Sequence, residues 1–262
     1  MKGVIAIVGV LMMVSAQDRP PKTAQSVWDQ GVAAKGGREA LRAVRTFVVR
    51  ESAVYEDAQP YASGLKRTVV CQPPNGWWEF EDYRPGRFGF SAHVADLETG
   101  AEWFSQGVKA TLRMKLKDSI VPYWMKEVQL VYFLETAALH PTPIRLVEGS
   151  DADAVEVDAG GLPAVVHFDR TTHLPMRIEM TRSVQLPPGR VTSTKYLYSV
   201  SSYRDVSGLK LPSRMRIDSS SPRDVDFQVN VDIDPALFRT PPTNVTSPDA
   251  WRKFLRDLPP NR

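Results

Sequence analysis

A single cysteine, Cys71, stands among 262 residues. No intrachain disulfide can form, and no cysteine-based zinc site. Cys71 sits in the apolar run Val69-Val70-Cys71, where a small buried side chain fits better than a reactive thiol. Histidine is scarce as well, four in all. No G-x-S-x-G elbow, phosphate loop, dinucleotide fingerprint or H-E-x-x-H occurs, so the chain reads as a non-enzyme without a cofactor. No charge of one sign dominates. The formal net charge is +3, and +2 once Lys2 leaves with the leader. Without a basic block there is no electrostatic footprint for nucleic acid.

Long apolar runs are missing too. The longest near the start, Val4 to Val14, is shorter than the roughly 20 residues of a membrane helix. Lys2 precedes it and Val14-Ser15-Ala16 closes it, the three-part pattern of an export signal. The bland alternative is a short buried helix. No cysteine follows the run, so no lipid anchor is expected at the mature N-terminus. Residues 1–16 therefore read as a signal peptide. Residues 17–240 read as one domain of a soluble, monomeric periplasmic protein, and 241–262 as a tail. No internal repeat or dividing linker is present.

What the sequence does have is period-2 alternation. Phe227, Val229, Val231 and Ile233 alternate with Gln228, Asn230 and Asp232. Leu209, Leu211, Met215 and Ile217 alternate with basic and acidic residues. Such strands have one apolar and one wet face. Proline outnumbers glycine, 21 to 16, and Pro163, Pro175, Pro212 and Pro235 sit where strands end. Asn75-Gly76 marks a hairpin, and Phe88, Phe90, Ala92 and Val94 alternate before the turn Glu98-Thr99-Gly100.

Helix signals are few. Residues Thr23 to Val44 carry helical spacing interrupted by Gly36-Gly37. Val121 to Leu139 is apolar nearly all round, which predicts a buried helix across the mouth of the curved sheet. In the tail, Ser247-Pro248 suits a helix start. Trp251, Phe254, Leu255 and Leu258 follow it at helical spacing. That stripe packs back on the domain or, more sharply, docks on an envelope protein partner.

Two clusters have chemical potential. His167 and Asp169 lie two apart on a strand with His173 beyond the turn, a conceivable metal triad. A solvated hairpin end with one strand histidine is the plainer reading, because no further histidine has ligand spacing. His93 and His140 stand alone. Glu79, Glu81 and Asp82 beside Trp77, Trp78 and Phe80 could form an acidic pair at a sugar site. The plainer reading puts Glu79 and Glu81 on a wet outer face and Trp78, Phe80 and Asp82 inward.

Four segments carry a resemblance. They are Gly36-Gly37-Arg38-Glu39-Ala40-Leu41-Arg42-Ala43-Val44, Phe168-Asp169-Arg170-Thr171-Thr172-His173-Leu174-Pro175, Tyr203 to Pro212 (ending Gly208-Leu209-Lys210-Leu211-Pro212) and Asn230 to Phe238. In order and spacing they resemble the periplasmic lipoprotein-sorting family, similar to the bacterial lipoprotein carrier and its outer-membrane receptor. The resemblance implies a mainly β (α+β) fold: an unclosed antiparallel β-barrel, or half-barrel, with helices covering its concave face. It also implies a carrier or chaperone for lipid or lipoprotein acyl chains. Aromatic and apolar residues near the proposed mouth are the candidate cavity lining: Phe88, Phe90, Trp103, Trp124, Val128, Tyr132, Tyr196 and Tyr198. The alternative is an envelope interaction module whose core is filled by its own side chains. Mass spectrometry of the protein secreted from its native cell should find Gln17 at the N-terminus; a mature chain retaining Met1 would refute the export signal.

Overall fold

A computed structural model describes residues 22–53, 65–82, 89–106, 112–113, 119–149, 151–186, 190–218 and 220–240. The expected leader and the tail stripe lie outside the described residues. The chain opens with α1 (Ala24–Ala34). Thr23 caps it: the Ser26 amide donates to Thr23 Oγ1 at 3.0 Å and the Thr23 amide donates to Ser26 Oγ at 2.9 Å. Gly36 and Gly37 follow at φ 121° and 90°, a left-handed path that lets the chain reverse into α2 (Arg38–Arg42).

Two antiparallel meanders come next. The first comprises β1 (Phe47–Ala53), β2 (Leu65–Gln72), β3 (Gly76–Asp82), β4 (Phe90–Asp96), β5 (Ala101–Gln106) and β6 (Leu112–Arg113). Helix α3 (Val121–Phe133) separates it from the second. That second meander comprises β7 (Thr142–Leu146), β8 (Asp153–Asp158), β9 (Pro163–Phe168), β10 (Pro175–Leu186), β11 (Arg190–Val206), β12 (Leu209–Ile217) and β13 (Arg223–Val229). A short α4 (Ala236–Arg239) follows. The meanders join where β1 pairs with β13, Phe47 opposite Val229. The result is one thirteen-stranded sheet running β6-β5-β4-β3-β2-β1-β13-β12-β11-β10-β9-β8-β7. Its two edges, β6 and β7, do not pair, so the curved sheet stays unclosed, as the sequence led us to expect.

The concave face carries the main core. Val27 and Trp28 of α1, Leu41 of α2 and most of α3 pack against Phe47, Val49, Val69, Trp77, Val166, Phe168 and Phe227 of the sheet. Eight residues of α3 are buried, consistent with its all-round apolar sequence. The helix is shorter than the apolar run suggests, however. Leu134 takes φ 71° and ends it. The chain then turns, with the Thr136 amide donating to Leu139 O and Thr136 Oγ1 accepting from the Leu139 amide. Leu134 and Leu139 stay buried without being helical, so hydrophobicity outlasts the helix.

A second, smaller core lies on the convex face. There Val48, Val70, Trp78 and Val94 are covered by Ile233 and Phe238, with Val231 and Leu237 alongside. The turn signals appear where the sequence put them. Asp169 Oδ1 accepts from the Thr171 and Thr172 amides, and Gly208 takes φ 80° between β11 and β12. Cys71 is buried in the main core, and burial pushes its thiol well up.

Gly31 offers a sharp check on how α1 seats. A Cβ there would lie 2.2 Å from the Phe168 ring. In an open helix Gly→Ala stabilises by up to about 1 kcal/mol; here Gly31→Ala should instead cost about 1–3 kcal/mol through overpacking. Urea denaturation checks the sign.

Candidate functional site

The layer where α3 packs on the concave face is the candidate site. Sheet register sets its chemistry. In β1 the inward residues are Phe47, Val49, Glu51 and Ala53, and Glu51 stands opposite both Arg67 and Val225. Arg67 in turn stands opposite Glu81. Strand alternation brings Glu79 and Arg223 to the same face. The charges therefore gather beneath α3.

Glu51 is the hub and is 2 % exposed. Arg67 Nη1 donates to its Oε1 at 2.8 Å, and Arg223 Nη1 donates to its Oε2 at 2.7 Å. The Tyr132 hydroxyl, arriving from α3, donates to Oε1 at 2.5 Å. Arg67 Nε also donates to Glu79 Oε1 at 2.6 Å. Burial pushes the Glu51 carboxyl up, but Arg67 and Arg223, with the Tyr132 hydroxyl, outweigh it and hold it below the ordinary carboxylate range. Glu79 ends above that range, because burial there exceeds the pull of Arg67.

Further polar contacts hold the helix, among them Lys126 Nζ donating to the Gly160 carbonyl at 2.6 Å. The Tyr198 hydroxyl of β11 donates to Glu127 Oε1 of α3. Burial raises the Glu127 carboxyl despite this bond. At the other end, Lys35 is fully buried, and its Nζ donates to the Tyr132 carbonyl at 2.5 Å. That contact satisfies a carbonyl in the last turn of α3. Burial alone drives the Lys35 amine well below its usual range.

The predicted lining residues distribute unevenly over this geometry. Trp124, Val128 and Tyr132 lie on α3 and pack into the concave core; Tyr196 and Tyr198 meet them from β11. Trp124 packs 5.9 Å from Trp77 and 5.1 Å from His93, ring centre to ring centre. Trp103 faces the other way, into the convex core. Phe90 opens β4, and Phe88 lies outside the described residues.

The plain reading of Glu79 and Glu81 as a wet outer face is corrected. Trp77 and Glu79 face α3, whereas Trp78 and Phe80 face the convex core. Both faces of β3 are covered, so polarity no longer marks the outside. His167 does not meet a metal-type set. Its Nε2 lies 3.1 Å from Glu179 Oε1 and 3.3 Å from Arg177 Nη2. No cluster suited to a metal occurs among the described residues. His93, which has no motif partner in the sequence, has its Nε2 2.7 Å from buried Glu102 Oε1.

Glu51, Arg67, Arg223, Glu127 and Lys35 were not singled out from sequence, yet a signal existed. Glu51 and Arg67 fall in phase with Val49 and Val69, and Arg223 in phase with Val225 and Phe227. A charge in phase with the apolar face of a strand is a charge that faces the core.

Removing the hub should be costly. Glu51→Gln should lower stability by about 3–5 kcal/mol near pH 7, because Arg223 would lose the carboxylate it pairs with and Arg67 would keep only Glu79 and Glu81. The sign of the pH effect follows from the depressed carboxyl. Its contribution is complete above the unfolded value of about 4.3 and lost as pH falls through the lower folded value. Urea titrations of both proteins from pH 7 to pH 3 should show the gap narrow below about pH 4; a constant gap would remove Glu51 as the hub.

No protein-family profile matches the chain, and no curated protein does. Among solved structures, it is similar to a domain from Vibrio parahaemolyticus described as an outer membrane lipoprotein-sorting protein domain. The identity is 10%, the match covers 82% of this chain and 97% of that one, and the TM-score is 0.43.

Proposed function

We propose that this protein is a non-enzymatic carrier of the cell envelope. In this reading it holds the acyl chains of a lipid or lipoprotein between α3 and the concave face of the half-barrel. The observation that carries the reading is how α3 is attached. The helix is apolar nearly all round and spans the concave face. The layer between it and the sheet is built of large side chains, Phe47, Trp77, Tyr132, Phe133 and Phe227 among them. Such a layer can rotate aside and be replaced by acyl chains. The polar contacts that close it, Tyr132 to Glu51, Tyr198 to Glu127, Lys35 to the Tyr132 carbonyl and Lys126 to the Gly160 carbonyl, are hydrogen bonds that a moving helix can break and remake. At one end Tyr123, Trp124 and Tyr196 remain partly exposed and form the rim of entry.

The sequence resemblance supports the same reading. So does the lack, among the described residues, of any helix long and apolar enough to cross a membrane. The leader supports export to the periplasm. Within this reading Trp124, Val128, Tyr132, Tyr196 and Tyr198 line the ligand space.

A second reading is favoured by one observation. The concave core runs unbroken from Trp28 through α3 to Phe227. In that reading α3 is a permanent plug, and the protein is an envelope interaction module.

Burying each CH₂ contributes about 0.8 kcal/mol, or about fourfold in affinity. A carrier should therefore bind fluorescent fatty acids saturably, with affinity rising about fourfold per added CH₂, and should release lipid to mass spectrometry after native purification. Absence of both co-purified lipid and saturable binding would leave the module.

A further inference from the structure

Two buried polar atoms of the concave core have no hydrogen-bond partner among the described residues, Trp77 Nε1 and Glu102 Oε2. They belong to one row of the sheet. Trp77 stands opposite Ala95 on β4, and Ala95 stands opposite Glu102 on β5. Cross-strand partners share a face, and Trp78 and Trp103 turn to the convex core, so this row faces α3. Trp77, Ala95 and Glu102 are each 0 % exposed. Neighbouring strands lie about 4.8 Å apart, which sets the Trp77 and Glu102 backbones roughly 10 Å apart with one methyl between them.

The surroundings fix both groups. Glu102 Oε1 is held by His93 Nε2 at 2.7 Å, which leaves Oε2 as the acceptor to be matched. Trp124 of α3 covers the row. Its ring lies 5.9 Å from that of Trp77 and 5.1 Å from that of His93. Packing alone does not call for an indole N–H and a carboxylate here, because a buried donor or acceptor left unmatched destabilises the fold and is rare. A donor on one side of Ala95 and an acceptor on the other suit a group that can both accept and donate, which a hydroxyl does. A carboxylate suits the place badly. It could accept from the indole but would meet Glu102 oxygen to oxygen, with Glu79 opposite His93 in the next row. An ester offers Glu102 no proton.

We propose that the row Trp77-Ala95-Glu102 is a headgroup subsite, and that the ligand is a neutral acyl lipid with a free hydroxyl in its head. This rests on the carrier reading above and narrows its ligand. The lipid hydroxyl accepts from Trp77 Nε1 and donates to Glu102 Oε2, while the chain lies under α3. Trp124 is half-buried at the rim, so the head stays near the entrance and the chain lies within.

The test is calorimetric titration of the full-length chain with monolauroylglycerol, laurate and methyl laurate, which share one acyl chain, at a pH where laurate is ionised. Monolauroylglycerol should bind about tenfold tighter than either of the others, the factor expected of one hydrogen bond to a charged group. Glu102→Gln replaces the acceptor by an amide that can donate, so laurate should gain about tenfold on monolauroylglycerol. A loss of folding would weaken all three alike and would not shift their order, and the wild-type ranking decides without any variant. Equal affinities in the wild type, or an order unchanged by Glu102→Gln in folded protein, would overturn the subsite and leave the carrier standing. Binding of none of the three would remove the carrier and the subsite with it.

Discussion

Glu51 between Arg67 and Arg223 is the contact on which the arrangement rests. It sits on β1, the strand that joins the two meanders, and its partners come from β2 on one side and β13 on the other. The Tyr132 hydroxyl adds the helix to the same carboxylate. One carboxylate therefore ties three strands and α3 together at the middle of the sheet. Buried ion pairs contribute little net stability relative to apolar packing, but they tolerate few alternative arrangements. A slip of β1 by one residue would turn Glu51 to the convex face, taking from Arg223 its carboxylate and from Arg67 one of its partners. The network thus specifies register where the long-range pairing needs it.

The same network gives the space under α3 a mixed character. Toward α1 and β9 it is aliphatic and aromatic, with Trp28 and Phe168 ring to ring at 6.0 Å. Toward β3 and β13 it is charged. In the proposed carrier, the first end is the one suited to acyl chains and the second the one that would guide α3 back. Both ends of the helix carry polar ties: Lys35 holds the Tyr132 carbonyl at the far end, and Lys126 Nζ donates to the Gly160 carbonyl at 2.6 Å near the N-terminal end.

Much of this was legible in the sequence, and the exceptions share a cause. The alternating strands, the Asn75-Gly76 hairpin, the Asp169 turn and the buried helix are local patterns, set by side-chain period and turn chemistry. They appear where the residues placed them. The orientation of β3 was not legible, because the expectation of one wet face fails when both faces are covered. Ile233 and Phe238, more than 150 residues downstream, do the covering. Leu134 ends α3 against its own hydrophobicity because a hydrogen-bonded turn at Thr136 competes with the helix. Lys35 gave no hint of burial, since its partner is a backbone carbonyl and not a charge. Within the site, the aromatic lining was readable as composition, whereas the ionic hub depended on phase between strands far apart in the chain.

The pairing of the first strand with the last has a consequence for how the molecule is made. Thr46 Oγ1 donates to the carbonyl of Val231, 185 residues away. Until that late segment arrives, β1 has hydrogen-bonding groups bare along one side and Phe47 and Val49 without their partner Phe227. An exposed edge of this kind is a template for wrong pairing. A chain that emerges N-terminus first carries that open seam through most of its own synthesis. Final closure is then a slow, non-local event. The fold is completed by its end, and a chain cut short near β12 would keep most of its strands while losing the seam that makes them one sheet.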